Sequence, residues 1–328
     1  MSKSKFYVGV DVGKDTLVAA KAESRPRSFA NNRREIGALV AWAKKAAGET
    51  TVHICMESTG VYGVHVAMQM IDETALEVSL VNPAQIAAFA KAQLRRSKTD
   101  SVDAQVILAF ARSQQPRRWQ PERMAVRQLY ALVTELDMLN DTTRRLANRD
   151  HSQGYVADLP KEVQKAQNTI GRSLTRQCSN LEQAIAQLVN QDNQLSAEVN
   201  LLSTIPGVKQ NTAVHILAYG KSHLMTHSRK ELTAHAGLAP RQHQSGSSIR
   251  GKSRIAKQGD KRLRKALYMS TLCGIVHNPL LKTHYQRLLA QGKPKKLALT
   301  ACMRKLLLIM QAIIKTNKPF NPSIQPLT

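Results

Sequence analysis

The first 113 residues alternate short β-rich apolar runs with amphipathic stretches, in an order that few folds accommodate. Residues 6–12, FYVGVDV, form the first run, 15–23 a weaker second and 27–31 a third. Residues 33–47 repeat apolar side chains at helical spacing. A buried strand follows at 52–57, VHICME, then a helix over 62–73 and a strand over 77–82, EVSLVN. Pro83 suits the first turn of the next helix, where its missing N–H costs nothing. Thr99 is placed to cap a further helix over 100–113.

An antiparallel meander followed by alternating helices and strands is the order of the ribonuclease-H-like fold. The character of the chain changes after residue 120. Leu129, Leu132, Leu136, Leu139, Thr143 and Leu146 follow a heptad-like spacing. Leu174, Cys178, Leu181, Ile185, Leu188, Asp192, Leu195 and Val199 repeat it, with a break near Gly154 to Pro160. Two such helices predict a helical hairpin or coiled-coil arm. From residue 201 the segment LLSTIPGVKQNTAVHILAYG reads as a helix, a Pro-Gly turn and a second helix. Turns of that kind hold phosphates with backbone N–H groups. Residues 241–265, RQHQSGSSIRGKSRIAKQGDKRLRK, begin with no hydrophobic period and predict an exposed basic loop leading into a helix near Asp260. The fold class is therefore α/β plus α, in three parts: 1–120, 121–200 and 201–328.

Charge separates these parts. The chain has 48 lysines and arginines against 23 acidic residues, a net charge of +25. Residues 201–328 hold 22 of the basic residues and only 2 of the acidic ones. That part is built to lie against a polyanion, while the first part keeps carboxylates for chemistry. Cys55, Cys178, Cys273 and Cys302 make no CxxC pair, which argues against a zinc finger and fits a reducing compartment. No apolar leader opens the chain, and the run Leu306 to Ile314 is too short to span a bilayer. The expected location is the cytoplasm, with no membrane partner.

Asp11 and Glu57 each sit at the end of an apolar strand, where a carboxylate is costly unless it has a partner. Asp100 and Asp103 are three apart and share one helix face. Taken singly, each has a bland explanation, a strand-end turn former or an acidic first helical turn. Together they form a set that could hold two Mg²⁺ ions ~3.5–4 Å apart and act on phosphodiesters. Asp15 competes with Asp11 for the strand end and is expected to face the other side or lie in the turn. GVDVGKDT also resembles the first phosphate loop of actin-like and sugar-kinase ATPases, but no DxGG-like second loop follows.

The stretch QSGSSIRG sets Ser245, Ser247 and Ser248 between Gly246 and Gly251. Arg241, Arg250, Lys252, Arg254, Lys257, Lys261 and Arg262 lie around it as candidate phosphate contacts. Composition alone reads this as a basic contact loop. His243 is nearby, but no Ser–His–Asp order supports an ester hydrolase.

The segments GVDVGKDTL, ICMESTGVYG, VNPAQIAAFAKAQLRRSKTDSVDA, STIPGV and LTAHAGLAPRQHQSGSSIRGKSRIAKQGDKRLRKALYM together resemble the insertion-sequence "one-ten" family of transposases, to which the Piv-type DNA invertases are related. The resemblance runs over roughly residues 5–320. It implies a RuvC-like N-terminal domain with Asp11, Glu57, Asp100 and Asp103 as its four carboxylates. It implies a mostly helical C-terminal transposase domain with Ser245 as nucleophile. It also implies a bridge RNA that guides donor and target double-stranded DNA, and a homo-oligomer, a tetramer. Prokaryotic, nucleoid-associated recombination is the expected activity. The rival readings are a junction-resolvase-like nuclease using water, and a non-catalytic nucleic-acid-binding protein.

Overall fold

The computed structural model describes residues 5–58, 60–94, 99–155, 158–241, 244–245, 249–250, 254–255 and 258–323, with backbone alone at 241, 244–245, 249–250 and 254. The chain divides into two compact units, Met1–Pro121 and Glu122–Thr328.

The first unit is mixed α/β. Its elements are β1 (Lys5–Val12), β2 (Thr16–Lys21), β3 (Arg27–Ala30), α1 (Arg33–Ala47), β4 (Thr51–Glu57), α2 (Gly60–Met70), β5 (Leu76–Val81), α3 (Pro83–Ala92) and α4 (Asp100–Gln114). The strands form one sheet in the order β3-β2-β1-β4-β5. β2 is antiparallel to β1 and β3, and β4 is parallel to β1 and β5. Val8, Val10 and Val12 alternate along β1 onto one face, where they pack with Ile54, Met56, Leu39, Val66 and Met70. The other face meets α4, through Cys55 with Ile107 and Phe110 and through Val18 with Ala104 and Leu108. The predicted helix starts follow their chemistry: Asn82 and Thr99 accept from Ala84 N and Val102 N, and Pro83 occupies the first turn. α2 starts two residues earlier than the periodicity predicts, because Gly60 adopts φ 60° and turns the chain into the helix at once.

Among its described residues, the second unit is helical apart from four two-residue strands. It runs α5 (Met124–Gln153), α6 (Lys161–Gln191), α7 (Asn193–Ser203), α8 (Gln210–Gly220), α9 (His223–Thr226) and α10 (Arg229–His235). Then come β6 (Pro240–Arg241), β7 (Gln244–Ser245), β8 (Ile249–Arg250), β9 (Arg254–Ile255), α11 (Lys261–His277), α12 (Pro279–Ala290) and α13 (Lys295–Thr316). Leu129, Val133 and Leu136 of α5 and Ile185 and Val189 of α6 share one core with α7, α8, α11 and α13. Further out, Leu139, Thr143, Leu146 and Leu174 are only half-buried.

The second heptad run is not one helix. Asp192, placed in the apolar seam by spacing, interrupts it: its φ of −101° leaves the helical region and its carboxylate accepts from Leu195 N at 2.7 Å, capping α7. The Pro-Gly turn between α7 and α8 is buried through Ile205 and Val208. Gly207 there, at φ 95°, lies so close to α11 that a Cβ would stand 2.8 Å from Gly274 Cα.

The apolar run 306–314 belongs to a longer helix than its own length suggests. α13, at 22 residues, is by length and composition able to cross a membrane, but 61% of its apolar window is buried inside the protein. Leu306, Leu307 and Met310 are wholly enclosed in the core, which accounts for its apolarity.

Candidate active site

β1 and β4 run in parallel register up to Val10 and Met56, so Asp11 and Glu57 follow at the same end of adjacent strands. Asp11 alternates with Val10 and Val12 and so shares the face of Gly9. Gly9 is what lets α4 reach that face. A Cβ there would stand 2.3 Å from Leu108 N and 2.5 Å from Ala104 O, so the strand and helix backbones touch. α4 opens on Asp100 and Asp103, its first turn fixed by Asp103 N donating to Thr99 O at 2.8 Å. Asp15 lies in the β1–β2 turn, as expected, with its carbonyl accepting from Asn31 N at 2.9 Å.

Asp11 senses the other three carboxylates. The Asp11 carboxyl is raised from 3.8 to about 6, first by burial and then by the charges of Asp103, Asp100 and Glu57, against the N–H of Val12. The cluster is thus short of positive charge and offers only oxygen donors, the chemistry a divalent hard cation satisfies. Among the described residues, however, no group of three or more His, Cys, Asp or Glu is spaced to hold a metal ion. The donor set fits such a cation in kind and charge.

The basic segment of the second unit is not the plain loop that its lack of hydrophobic period predicts. Pro240 and Arg241 pair with Ile255 and Arg254, and Gln244 and Ser245 pair with Arg250 and Ile249, all antiparallel. Ladders of two residues are too short to leave an alternating pattern, which is why the sequence hides them. The hairpin is gathered at its root, where Asp260 N donates to His235 O at 2.7 Å. Gly259, at φ 144°, passes so close that a Cβ would meet His235 O at 2.5 Å. Asp260 then caps α11 by accepting from Arg262 N and Leu263 N.

Ser245 ends β7. Arg241, Arg250 and Arg254 lie on the hairpin strands. Lys252, Lys257, His243, Ser247 and Ser248 lie outside the described residues. Lys261 is exposed on the first turn of α11. Arg262 is turned inward, donating to Thr134 Oγ1 at 3.0 Å and lying over the Tyr219 ring at 5.6 Å.

Spacing along the chain also hides a Ser–His–Glu arrangement in the first unit. His53 Nε2 lies 2.7 Å from Ser79 Oγ, and its Nδ1 lies 3.3 Å from Glu77 Oε2. It joins neighbouring strands β4 and β5, so no sequence motif announces it. Ser79 and His53 are 0% and 1% exposed, and Ser79 Oγ donates to Arg117 O at 2.6 Å. No ester reaches such a hydroxyl; the group pins the segment leaving α4 onto β5.

A family profile described as "Transposase" matches residues 8–153, and a second, described as "Transposase IS116/IS110/IS902 family", matches residues 199–286. The chain is 33% identical to the pilin gene-inverting protein of Moraxella bovis over 98% of its own length and 99% of that protein. It is as similar, over the same shares, to the pilin gene-inverting protein of Moraxella lacunata. It is also 29% identical to an uncharacterized 43.6 kDa protein of the insertion element IS110 from Streptomyces coelicolor, over 35% of this chain and 28% of that one.

Proposed function

The chain belongs to the IS116/IS110/IS902 family of transposases, and on that premise we propose how its two units carry out recombination. It is a DNA transposase or recombinase, related over its whole length to a DNA-inverting protein. The proposal concerns the chemistry. The first unit is a RuvC-like catalytic domain; the strand order β3-β2-β1-β4-β5 with β2 antiparallel supports that reading. The observation that carries it is the placement of Asp11 and Glu57 at the same end of adjacent strands, with Asp100 and Asp103 on the first turn of α4, close enough for their charges to help raise the pKa of Asp11.

Asp11, Glu57, Asp100 and Asp103 would hold Mg²⁺, which would supply charge neutralisation at the reacting phosphate and favour the ionised form of an attacking hydroxyl. Ser245 attacks a phosphodiester of one DNA end. The serine oxygen–phosphorus bond forms, the bond from phosphorus to one deoxyribose oxygen breaks, and the serine proton leaves with that oxygen. A hydroxyl of the partner duplex then attacks the phosphoserine and regenerates Ser245. Bond energy is conserved throughout, so no nucleotide triphosphate is consumed.

A guide RNA from the element's flanking DNA chooses donor and target by base pairing. Arg241, Arg250, Lys252, Arg254, Lys257 and Lys261 hold phosphates; Arg262, committed to Thr134 and Tyr219, fits a supporting role better. The complex is a tetramer in the bacterial cytoplasm, with the half-buried outer seam of α5 and α6 as a candidate coiled-coil contact between copies.

The test is a denaturation-resistant adduct. The protein, co-expressed with its native flanking DNA, is incubated with both DNA sites and Mg²⁺ and analysed by mass spectrometry. A phosphodiester-linked Ser245, lost in Ser245→Ala together with all joining, is expected. Cutting that survives Ser245→Ala without an adduct would assign the attack to water and make the protein a nuclease.

A further inference from the structure

The first turn of α2 holds the least explained surface of the catalytic unit. Residues 60–64, GVYGV, carry no charge, although they follow Glu57 by three residues. The inward side of α2 is Gly63, Val66, Ala67 and Met70. Its outward side presents Val61, 74% exposed, with Tyr62 and Val64, 40% and 36% exposed. Solvated helix faces carry polar side chains, and an apolar turn with an aromatic ring on it marks a binding surface.

Geometry ties this turn to the carboxylates. Ser58 N donates to Val81 O at 2.8 Å, which holds the chain at the sheet as it leaves β4. Gly63 then sits on the strand end: a Cβ there would stand 2.9 Å from Glu57 O. Any larger residue at 63 would lift the turn away. Tyr62, the chain neighbour of Gly63, is thus carried on a turn whose inner side abuts the backbone of Glu57.

The chemistry that fits an uncharged, flat, apolar surface beside carboxylates is a nucleobase. The +25 chain draws nucleic acid in through its phosphates, and on the transposase reading a strand whose phosphate reacts at this end of the sheet must place the neighbouring base somewhere. Aromatic rings accept any base by its π-face, so such a platform works at sites whose sequence is chosen elsewhere.

We infer that Tyr62, flanked by Val61, is a positioning residue that stacks an unpaired base adjoining the reacting phosphate. The inference rests on the transposase reading above, and it makes strand distortion part of substrate binding rather than of chemistry.

The experiment uses the full chain in cells with a plasmid bearing its coding region and native flanking DNA. Recombinant junctions are counted by quantitative amplification for the parent, Tyr62→Ala, Tyr62→Phe, Val61→Ser and Asp11→Asn. In parallel, permanganate and dimethyl sulfate probe unstacked bases at the element boundary in Asp11→Asn complexes with and without Tyr62→Ala. Tyr62→Ala is expected to lower junctions by about tenfold or more, with Tyr62→Phe within about twofold of the parent. A reactive base at the boundary in Asp11→Asn should change reactivity in Asp11→Asn/Tyr62→Ala, which a purely structural role would not produce. Thermal midpoints should match the parent. Unchanged junctions and unchanged base reactivity in Tyr62→Ala would overturn the platform alone. Normal recombination by Asp11→Asn would overturn the catalytic reading beneath it.

Discussion

At position 9 a single methyl group decides whether α4 can reach the sheet. The backbone contact of Gly9 with Ala104 and Leu108 is what carries Asp100 and Asp103 to Asp11. Gly9→Ala puts its Cβ against backbone atoms, which cannot rotate away, so the helix must shift. Overpacking of this kind costs about 1–3 kcal/mol, and differential scanning calorimetry should register a lower melting temperature for the first unit. Recombination measured well below that temperature should fall by at least about tenfold, because positional error at a catalytic site costs more than stability does. Equal losses of stability and activity would mean that α4 does not need this contact to position its carboxylates. The positions of Asp11 and Glu57 at strand ends and of Asp100 and Asp103 on the first turn of a capped helix were legible from sequence, because each either ends an apolar run or opens a capped helix. Gly9 was not, since its partners lie ninety-five and more residues away and only the fold brings them together. The surroundings of Arg262 were hidden for a related reason: its charge is visible in the sequence, but its ties to Thr134 and Tyr219 are not.

Among the elements, the short helices under the hairpin carry an acid sensitivity. His223 of α9 lies between His235 of α10, stacked at 4.0 Å, and His227 at 4.2 Å. Its ring is lowered from 6.5 to about 3 by burial first, then by His235, His227 and Lys221, with the Gly220 backbone opposing. Gln311 and Lys315 of α13 meet this corner by donating to His227 O, and His235 Nε2 meets Tyr219 O. A histidine whose folded value is depressed stabilises the protein above its unfolded value. That contribution drains as pH falls from about 6.5 toward 3, at up to about 1.4 kcal/mol per pH unit. Asp11, raised, works the other way, so the informative comparison is with a variant. Urea unfolding between pH 7 and 5 should show a shallower decline in His223→Gln than in the parent; identical slopes would mean that His223 is already solvated. The helices and strands of the first unit were readable because their periods are long enough to count. The hairpin ladders and the break at Asp192 were not, because two-residue strands have no period and a capping aspartate can stand in an apolar seam by spacing alone.

For the whole molecule, the division of charge predicts where nucleic acid binds and how binding responds to salt. Residues 201–328 carry 22 basic side chains against 2 acidic ones, and the rest of the chain is nearly balanced. If guide pairing selects the sites, protein contacts fall on phosphates, and association is governed by counterion release. With about 6–10 phosphates neutralised, affinity for an arbitrary 30-base-pair duplex should fall by about 10³–10⁵ between 50 and 200 mM salt. Exposed Lys261 and Lys265 should each contribute about 0.9 to the log–log slope, so Lys261→Gln/Lys265→Gln should flatten it by nearly two. Arg34 and Lys45, equally exposed on α1, belong to the balanced part, and Arg34→Gln/Lys45→Gln should leave the slope where it was. The two double variants remove the same charge, so net charge alone predicts equal effects. Fluorescence anisotropy across the salt series separates these outcomes. Equal flattening would make the basic part a source of diffuse attraction, while flattening confined to α11 would place phosphates on that helix.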